Sequence, residues 1–437
     1  MNAEADGFSH GIKKYRWFII GLAFVGIIIN YLDRGALAYA ITPIQSSFHL
    51  NNADFGLIAS AFGIGYMLMT LIGGVLVDKF GAHKIWSASG FLWSLVTIVF
   101  GLISGFWAFF TLRLLLGIAE GPSFPALTRV VADWLPQSKR ARALGISLAA
   151  VPFASVIGAP LVSLLIVNFN WRIMFLALGC MGITWTLAWY RFFSDSPVES
   201  VHLSSEDLIH LKKSQTKKRQ SASTTSWRFM LLNPALLANN YAFFSFGYLL
   251  FFALTWLPGY FEQTYHLSLT HIALFLILPW LLGTVLILLG GFISDCIFQR
   301  TNSLRASRTH LIWISQVLSA ACFLPVIFYH SLTIAIVFIS LAVGLGLMPN
   351  AAFYAINADL AKDRAATSLG IMDCGFALAG ILAPALTGLL SHAFNGFNAA
   401  IGLLIGLTFS SALCVFFFQH SDRYRLATTP ASDLEKN

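Results

Sequence analysis

Long apolar stretches alternate with short polar ones along almost the whole chain. Apolar runs begin near Trp17, Ala53, Ile85, Phe106, Ala143, Trp171, Asn233, Thr270, His310, Ser331, Ala366 and Phe397. A helix needs about 20 mostly apolar residues to cross a bilayer, and these runs are of that length. Six precede and six follow a polar segment rich in Ser and Lys, Ser194 to Arg228. The pattern predicts an all-α polytopic membrane protein of twelve transmembrane helices in two pseudo-symmetric halves. The N-terminal six-helix half covers 1–193, and a cytoplasmic linker over 194–232 holds at most one short surface helix. The C-terminal six-helix half, with a cytoplasmic tail, covers 233–437.

Composition agrees: 57% of residues are hydrophobic and 11% charged, where a soluble domain carries about 25% charged residues. The formal net charge of +8 raises the question of a nucleic-acid partner. Of the 27 Lys and Arg, all but Arg34, Arg113 and Arg172 fall in segments on one side of the alternating runs, starting with Lys13, Lys14 and Arg16. That asymmetry is a positive-inside signal placing both termini in the cytoplasm of a cell inner (plasma) membrane, and it leaves no basic patch for nucleic acid. The basic start followed by an apolar run imitates a signal peptide, with Ala36-Leu37-Ala38 as a cleavage site. An Asp-Arg pair beyond its first half, and the six-plus-six division, argue for a retained span instead. Cys180, Cys296, Cys322, Cys374 and Cys414 are odd in number, scattered and mostly within spans, and read as small apolar filler rather than disulfides or metal ligands.

The two halves share a repeat. Gly74-x-x-x-Asp78, after the second run, recurs after the eighth as Gly291-x-x-x-Asp295. Lys139 to Gly145, after the fourth run, recurs after the tenth as Arg364 to Gly370, followed by Pro160 and Pro384 respectively. Parallel repeats with binding at their interface near the midplane are a standard transporter plan. Gly74, Asp78, Gly81 and Asp295 are expected to form a gating loop, the glycines allowing close helix approach and Asp78 pairing with a cation across the halves. Lys79 and Lys84 read equally well as solvated loop charges.

Four charges lie inside the spans of the first half. Asn30-Tyr31-Leu32-Asp33-Arg34 sits past the middle of the first run. In the fourth run Arg113 and Glu120 are two helical turns apart, with Gly117 between them and Gly121 beyond. A face of Arg, Gly, Glu and Gly suits a water-lined wall or a close helix contact, not lipid. An ionic group at the centre of a membrane helix costs roughly 2.5–3.5 kcal/mol, so all four should face the interior. One reading makes them a staple between the first and fourth spans, although apolar packing would achieve that at lower cost. The other is coupling: an anion bound beside Arg34 withdraws that cation from a carboxylate, which then favours co-binding of a proton.

Gly74-x-x-x-Asp78-x-x-Gly81-x-x-Lys84 resembles the loop signature of the major facilitator superfamily. Together with Asn30 to Arg34, with Arg113 to Pro125 closing on Trp134, Pro136, Arg140 and Arg142, with Leu254 to Tyr260 and with Asp195-Ser196-Pro197, it resembles the anion:cation symporter family within it. The likeness covers both halves. It implies the major facilitator fold and proton-coupled uptake of a small organic anion, a carboxylate or sugar acid, by alternating access. It also implies Arg34 as the substrate contact, Asp33 and Glu120 as proton carriers, and Arg113 as the partner that tunes an acid.

Other candidates face the same cavity by helical spacing. Tyr66, in the middle of the second span, can donate to a carboxylate or simply pack. Asn240, Phe244 and Tyr248 form an i, i+4, i+8 line on the seventh span, and Asn350, Tyr354 and Asn357 approach from the tenth. In the eleventh span Asp373 stands where the family usually has Asn, and Phe376 where it has a small residue. Asp373 lies roughly 10 Å inside one end, as a gate residue, an extra proton site or a ligand for an amino group. In the fifth span Val151-Pro152-Phe153 replaces the amide typical of sugar-acid carriers. Both changes leave room for a smaller, more apolar or zwitterionic anion. No nucleotide-binding loop and no His-Glu-x-x-His motif is present, so neither cofactor, metal nor enzymatic activity is expected. The rivals are an amino-acid or nucleoside carrier, an exporter of the same fold, an intramembrane enzyme and a non-transporting membrane sensor. The protein is expected to work as a monomer whose partners are an anionic substrate, protons and lipid.

Overall fold

A computed structural model describes residues 10–135, 137–195, 227–361, 365–420 and 422. Pro136, Ser196, Pro197, Arg364 and most of the expected linker lie outside the described residues, as do the side chains of Lys13, Lys14, Lys139, Arg140 and Arg142. The described chain is helical. In order come α1 (His10–Tyr39), α2 (Ile41–Phe48), α3 (Asn52–Phe80), α4 (Ala82–Phe100), α5 (Phe106–Glu120), α6 (Ser123–Trp134), α7 (Gln137–Asn168) and α8 (Trp171–Phe192). After the short α9 (Trp227–Leu232) follow α10 (Pro234–Tyr265), α11 (Leu269–Thr301), α12 (His310–Phe328), α13 (Leu332–Leu347), α14 (Asn350–Leu360), α15 (Ala365–Ala393) and α16 (Asn398–Phe418).

Among the described residues ten spans are long and apolar enough to cross a membrane. The other two expected spans are α4, diluted by His83, Lys84 and three serines, and the pair α5–α6, which is interrupted. That interruption has a counterpart. The fourth span breaks at Gly121-Pro122 and the tenth at Met348-Pro349, and in each case the proline precedes the first residue of the next helix. Proline has no N–H and cannot extend the ladder behind it, but its fixed φ suits a helix start. Pro122 and Pro349 occupy matching places in the two halves, so the repeat seen in the loops extends into the backbone of the spans.

The first six spans meet the last six through α3 against α15, α7 against α11 and α1 against α10. The α3–α15 seam depends on small residues. A Cβ at Gly63 would fall 2.6 Å from the carbonyl carbon of Gly380, and one at Gly56 would fall 2.6 Å from the oxygen of Pro384. Close backbone approach of this kind is how helices associate without a hydrophobic drive. At the same end Asn52 Nδ2 donates to Gln263 Oε1 at 2.9 Å, Gln263 Nε2 donates back at 3.2 Å, and the Phe55 and Trp256 rings meet at 5.5 Å. Toward the Asp78 end a Cβ at Gly74 or Gly370 would meet nothing within 4 Å. Among the described residues, the close contacts across this seam lie toward the Asn52 end.

The expected gating loop is therefore only partly as anticipated. Asp78 pairs with Arg129 of α6 at 3.2 Å, inside its own half, and Arg129 also holds Asp133 at 2.5 Å. Among the described residues no cation of the other half pairs with Asp78. Asp295 is exposed. Gly74 has no close helix neighbour in this conformation, whereas Gly81 is needed locally. Its φ of 86° lies where L side chains are strained, and a Cβ there would collide with the Asp195 carboxylate. Asp195 Oδ1 accepts from the backbone N–H of His83 at 2.8 Å, which ties the end of the sixth span to the start of the third.

Candidate functional site

The first span places its polar residues by helical period. Asn30, Tyr31 and Arg34 stand at i, i+1 and i+4 and share a face, while Asp33, one position before Arg34, points about 100° away. All of them are buried. Arg34 is 5% exposed and Glu120 of α5 is 0% exposed. Arg34 donates to the same carboxylate oxygen, Oε2 of Glu120, through Nη2 at 2.9 Å and Nε at 3.2 Å. Nη2 also approaches Asn30 Oδ1 at 3.4 Å. Glu120 Oε1 and Arg34 Nη1 are buried with no partner among the described residues.

The guanidinium is enclosed by rings. Its Cζ lies 4.3 Å from the Tyr31 centroid, 4.6 Å from that of Phe62 and 4.9 Å from that of Tyr66. Cation–π attraction of this kind strengthens when water is excluded. Tyr66 meets the charge with its ring, which also stacks on Phe62 at 5.6 Å; of the two readings of Tyr66, the ring packing is the one seen here, with no donation from its hydroxyl to a carboxylate among the described residues. Arg113 does not pair directly with an acid. Its Nη2 donates to the backbone carbonyl of Arg34 at 3.3 Å, bracing the turn that carries the ion pair. Asp33 turns to the third span, where Thr97 Oγ1 donates to its Oδ2 at 3.4 Å, and its Oδ1 is buried without a partner among the described residues. So the four charges share one interior but form a single ion pair, Arg34–Glu120, with Asp33 and Arg113 to either side.

The glycines of the fourth span make the close helix contact, not a wet wall. A Cβ on Gly117 would clash with the Phe62 carbonyl oxygen and lie 2.7 Å from the Tyr66 nitrogen, and one on Gly121 would lie 2.9 Å from the Met69 backbone. Glu120 is thereby held against α3 and reaches Arg34 beside it.

From the last six spans the structure brings Tyr354 and Asp373 near this centre. The Asp373 carboxylate acts electrostatically on Tyr31, Tyr66 and Tyr354, and Tyr354 acts in turn with Tyr31 and Tyr66. Asn240, Tyr248 and Asn350 do not touch the Arg34 group. Tyr248 is fully buried beside Thr387, and the oxygens Oδ1 of Asn240 and Asn350 are buried without partners among the described residues. Asn357 is structural: Ser368 donates to its Oδ1 at 2.6 Å, and its Nδ2 meets the Met372 sulfur at 3.0 Å, joining the tenth span to the eleventh. Phe376, which stands where the family has a small residue, packs its ring among Phe243, Phe246 and Phe251 at 5.4, 6.2 and 5.1 Å. Tyr31, Asn30, Thr97 and Phe62 were not singled out as site residues by sequence. For Tyr31 and Asn30 the signal was there, in their i−3 and i−4 spacing from Arg34.

A small, partly open cavity continues from Tyr31 toward the Asn52 end, lined by Gly35, Tyr39, Ser155, Gly158 and Trp280. It runs along the meeting of the two sets of spans, so the charge centre lies beside the interface.

Comparison with known proteins matches this architecture. The family model described as Major Facilitator Superfamily matches residues 23–307. A probable sulfoacetate transporter, SauU, of Cupriavidus necator is 30% identical over 90% of this chain and 92% of its own length. The hexuronate transporter of Bacillus subtilis is 29% identical over 92% of this chain and 94% of its own. A probable galactarate/D-glucarate transporter, GarP, of Escherichia coli is 29% identical over 94% and 96%. Among solved structures, a bacterial homologue of the human lysosomal transporter Spinster, in an inward-facing and unoccupied conformation, superposes with a TM-score of 0.70 at 18% identity, covering 95% of this chain and 97% of that one. The chain is a membrane-embedded member of the Major Facilitator Superfamily, whose members are transporters and not enzymes.

Proposed function

We propose that the protein is a proton-coupled symporter that takes up a small organic anion by alternating access. The observation that carries this reading is the buried Arg34–Glu120 pair, in which each partner keeps one polar atom, Nη1 and Oε1, without a hydrogen bond among the described residues. A finished structural staple would satisfy both, because an unmade buried bond is expensive. Here the guanidinium has a donor left for an anion and the carboxylate has an oxygen left for a proton. Sulfoacetate, hexuronate, galactarate and D-glucarate, the cargoes named for the relatives, are all anions.

The cycle follows from charge balance. An anionic substrate draws Arg34 from Glu120, and the carboxylate, left in an apolar interior without its counter-charge, takes up a proton and becomes neutral. The occupied centre then carries no unpaired charge, and the two halves can rock about it, closing the Asp78 end and parting the Asn52 end. Asp33, held by Thr97, is a second proton carrier in series, and Arg113 sets the position of Arg34 through its carbonyl. The membrane is the cell inner (plasma) membrane, the Asp78 end and both termini are cytoplasmic, and the working unit is a monomer.

The test uses purified protein in liposomes. External pH is followed while sugar acids, simple carboxylates, amino acids and nucleosides are added in turn. Alkalinisation outside with one anionic class is the expected result. A compound that crosses without moving protons would make the charge centre an exchange site and end the symport reading, and a sensor would bind without any flux.

A further inference from the structure

The Arg34–Glu120 centre has an acid across from it that the proposed cycle does not use. Asp373 lies half-buried on α15, next to the fully buried Met372. Among the described residues it has no hydrogen bond and no cation beside it, although the interior here is largely apolar. It stands two helical turns from Gly380, on the face of α15 that meets Gly63 of α3, and Tyr66 stands about one turn from Gly63 on that face of α3, both toward the Asp78 end; its charge acts on Tyr31, Tyr66 and Tyr354. Two of those rings, Tyr31 and Tyr66, are the ones that lie against the Arg34 guanidinium at 4.3 and 4.9 Å. The seam thus holds a buried arginine whose Nη1 is unbonded, tyrosines of the first, second and tenth spans, and, farther along α15, a carboxylate with no counter-ion among the described residues.

This stretch of the seam is polar at both ends with opposite signs. Its guanidinium end suits a carboxylate or sulfonate. The far end offers a carboxylate and aromatic rings, a combination that attracts an ammonium and gives a second carboxylate nothing but repulsion. A dianion spanning this stretch would bring its second charge against Asp373. Resting on the reading of Arg34 as the anion contact, we propose that Asp373 receives the cationic group of a zwitterionic cargo, a carboxylate or sulfonate joined by a short chain to a protonated amine or quaternary ammonium.

Matched pairs that differ only at the far end test this in proteoliposomes: radiolabelled β-alanine against 3-hydroxypropionate, and taurine against isethionate, with glutarate as the dianion. The wild-type protein is expected to take up the amine of each pair at least about tenfold faster than the alcohol, with glutarate slowest, tenfold being the effect of one modest ionic contact. Asp373→Asn should reduce that ratio about tenfold, and Asp373→Glu, which keeps the charge and controls for folding, should preserve its direction. Arg34→Ala should remove uptake of every compound. Preference for the alcohols or glutarate, or equal uptake of each pair, overturns the zwitterion while loss in Arg34→Ala leaves the anion contact standing. Normal uptake by Arg34→Ala removes the anion contact itself. If Asp373→Asn keeps the ratio but uncouples proton movement for both members of a pair, the residue is a proton site and the assignment fails.

Discussion

The fourth and tenth spans have the same backbone and opposite chemistry. Each is a helix cut by a proline near its middle, Pro122 in one and Pro349 in the other, and each packs its second piece toward the same end of the molecule. The fourth span carries Arg113 and Glu120 into the interior. The tenth carries no charge up to its break and then offers Asn350 and Tyr354. The shared break belongs to the architecture, since it recurs at matching places in the two halves. The charges are not, because the same backbone forms without them. A feature repeated in both halves thus belongs to the fold, and one present in a single half belongs to the task. On that criterion the proline breaks are structural, and the Arg34–Glu120 pair is the feature proposed to serve transport.

The comparison is broken most directly at Arg34. Arg34→Ala leaves Glu120 fully buried without its partner, a change that costs about 3–5 kcal/mol where such pairs have been broken. Uptake is expected to fall to background and the unfolding temperature in detergent to drop measurably. Retention of both would return the pair to the status of packing. Glu120→Gln keeps the shape and a hydrogen-bond acceptor for Arg34, so stability should change less. Proton-driven accumulation should disappear while exchange between loaded vesicles persists; accumulation at the wild-type level would move the proton role to Asp33 or Asp373.

Substitutions at the glycine seams separate architecture from task. Gly63→Leu forces side-chain volume into the backbone of Gly380 and should cost about 1–3 kcal/mol, as overpacking does. Its effect should be to part the Asn52 end, read as a wider distance between spin labels on α3 and α15. An unchanged distance would show that the seam is not the closing contact. Gly81→Ala should cost about 1 kcal/mol or more, from the left-handed backbone and the Asp195 contact together, and appear as lowered thermal stability.

The smallest effects are expected at the Asp78 end. The Asp78 side chain is 75% exposed, and its pair with Arg129 is worth no more than about 1 kcal/mol. Asp78→Asn should therefore leave the melting temperature within error. Gly74→Ala should do the same, since a Cβ there meets nothing within 4 Å. If either variant nonetheless slows transport, the loop acts in the opposite conformation, where the two halves would close upon it.

How much of this was legible beforehand varies residue by residue. The twelve spans and the enclosure of Asp33, Arg34, Arg113 and Glu120 follow from hydrophobic run length and from the cost of a charge in lipid, both of which act on the chain locally. The partners of those charges did not follow. Asp33 and Arg34 are neighbours in sequence, yet one faces Thr97 and the other Glu120, because successive residues on a helix differ by about 100°. Gly117 could be placed on a face with the charges, but only the packing of α3 decided that the face is a dry contact. Asp78 was assigned a partner across the halves and has one within its own, since the state of the interface at that end sets which cation is near.

The amino-acid sequence by itself determined the membrane-spanning class, the internal repeat, and which polar residues had to be inside. These are consequences of transfer free energy and periodicity, which need no knowledge of neighbours. Tertiary structure alone decided that Arg34 bonds Glu120 and not Asp33, that Tyr31 and Tyr66 from separate spans lie against it, and where the two halves touch. Those depend on the azimuth and depth at which distant helices meet, set by glycine contacts between segments of opposite halves, as between Gly63 and Gly380.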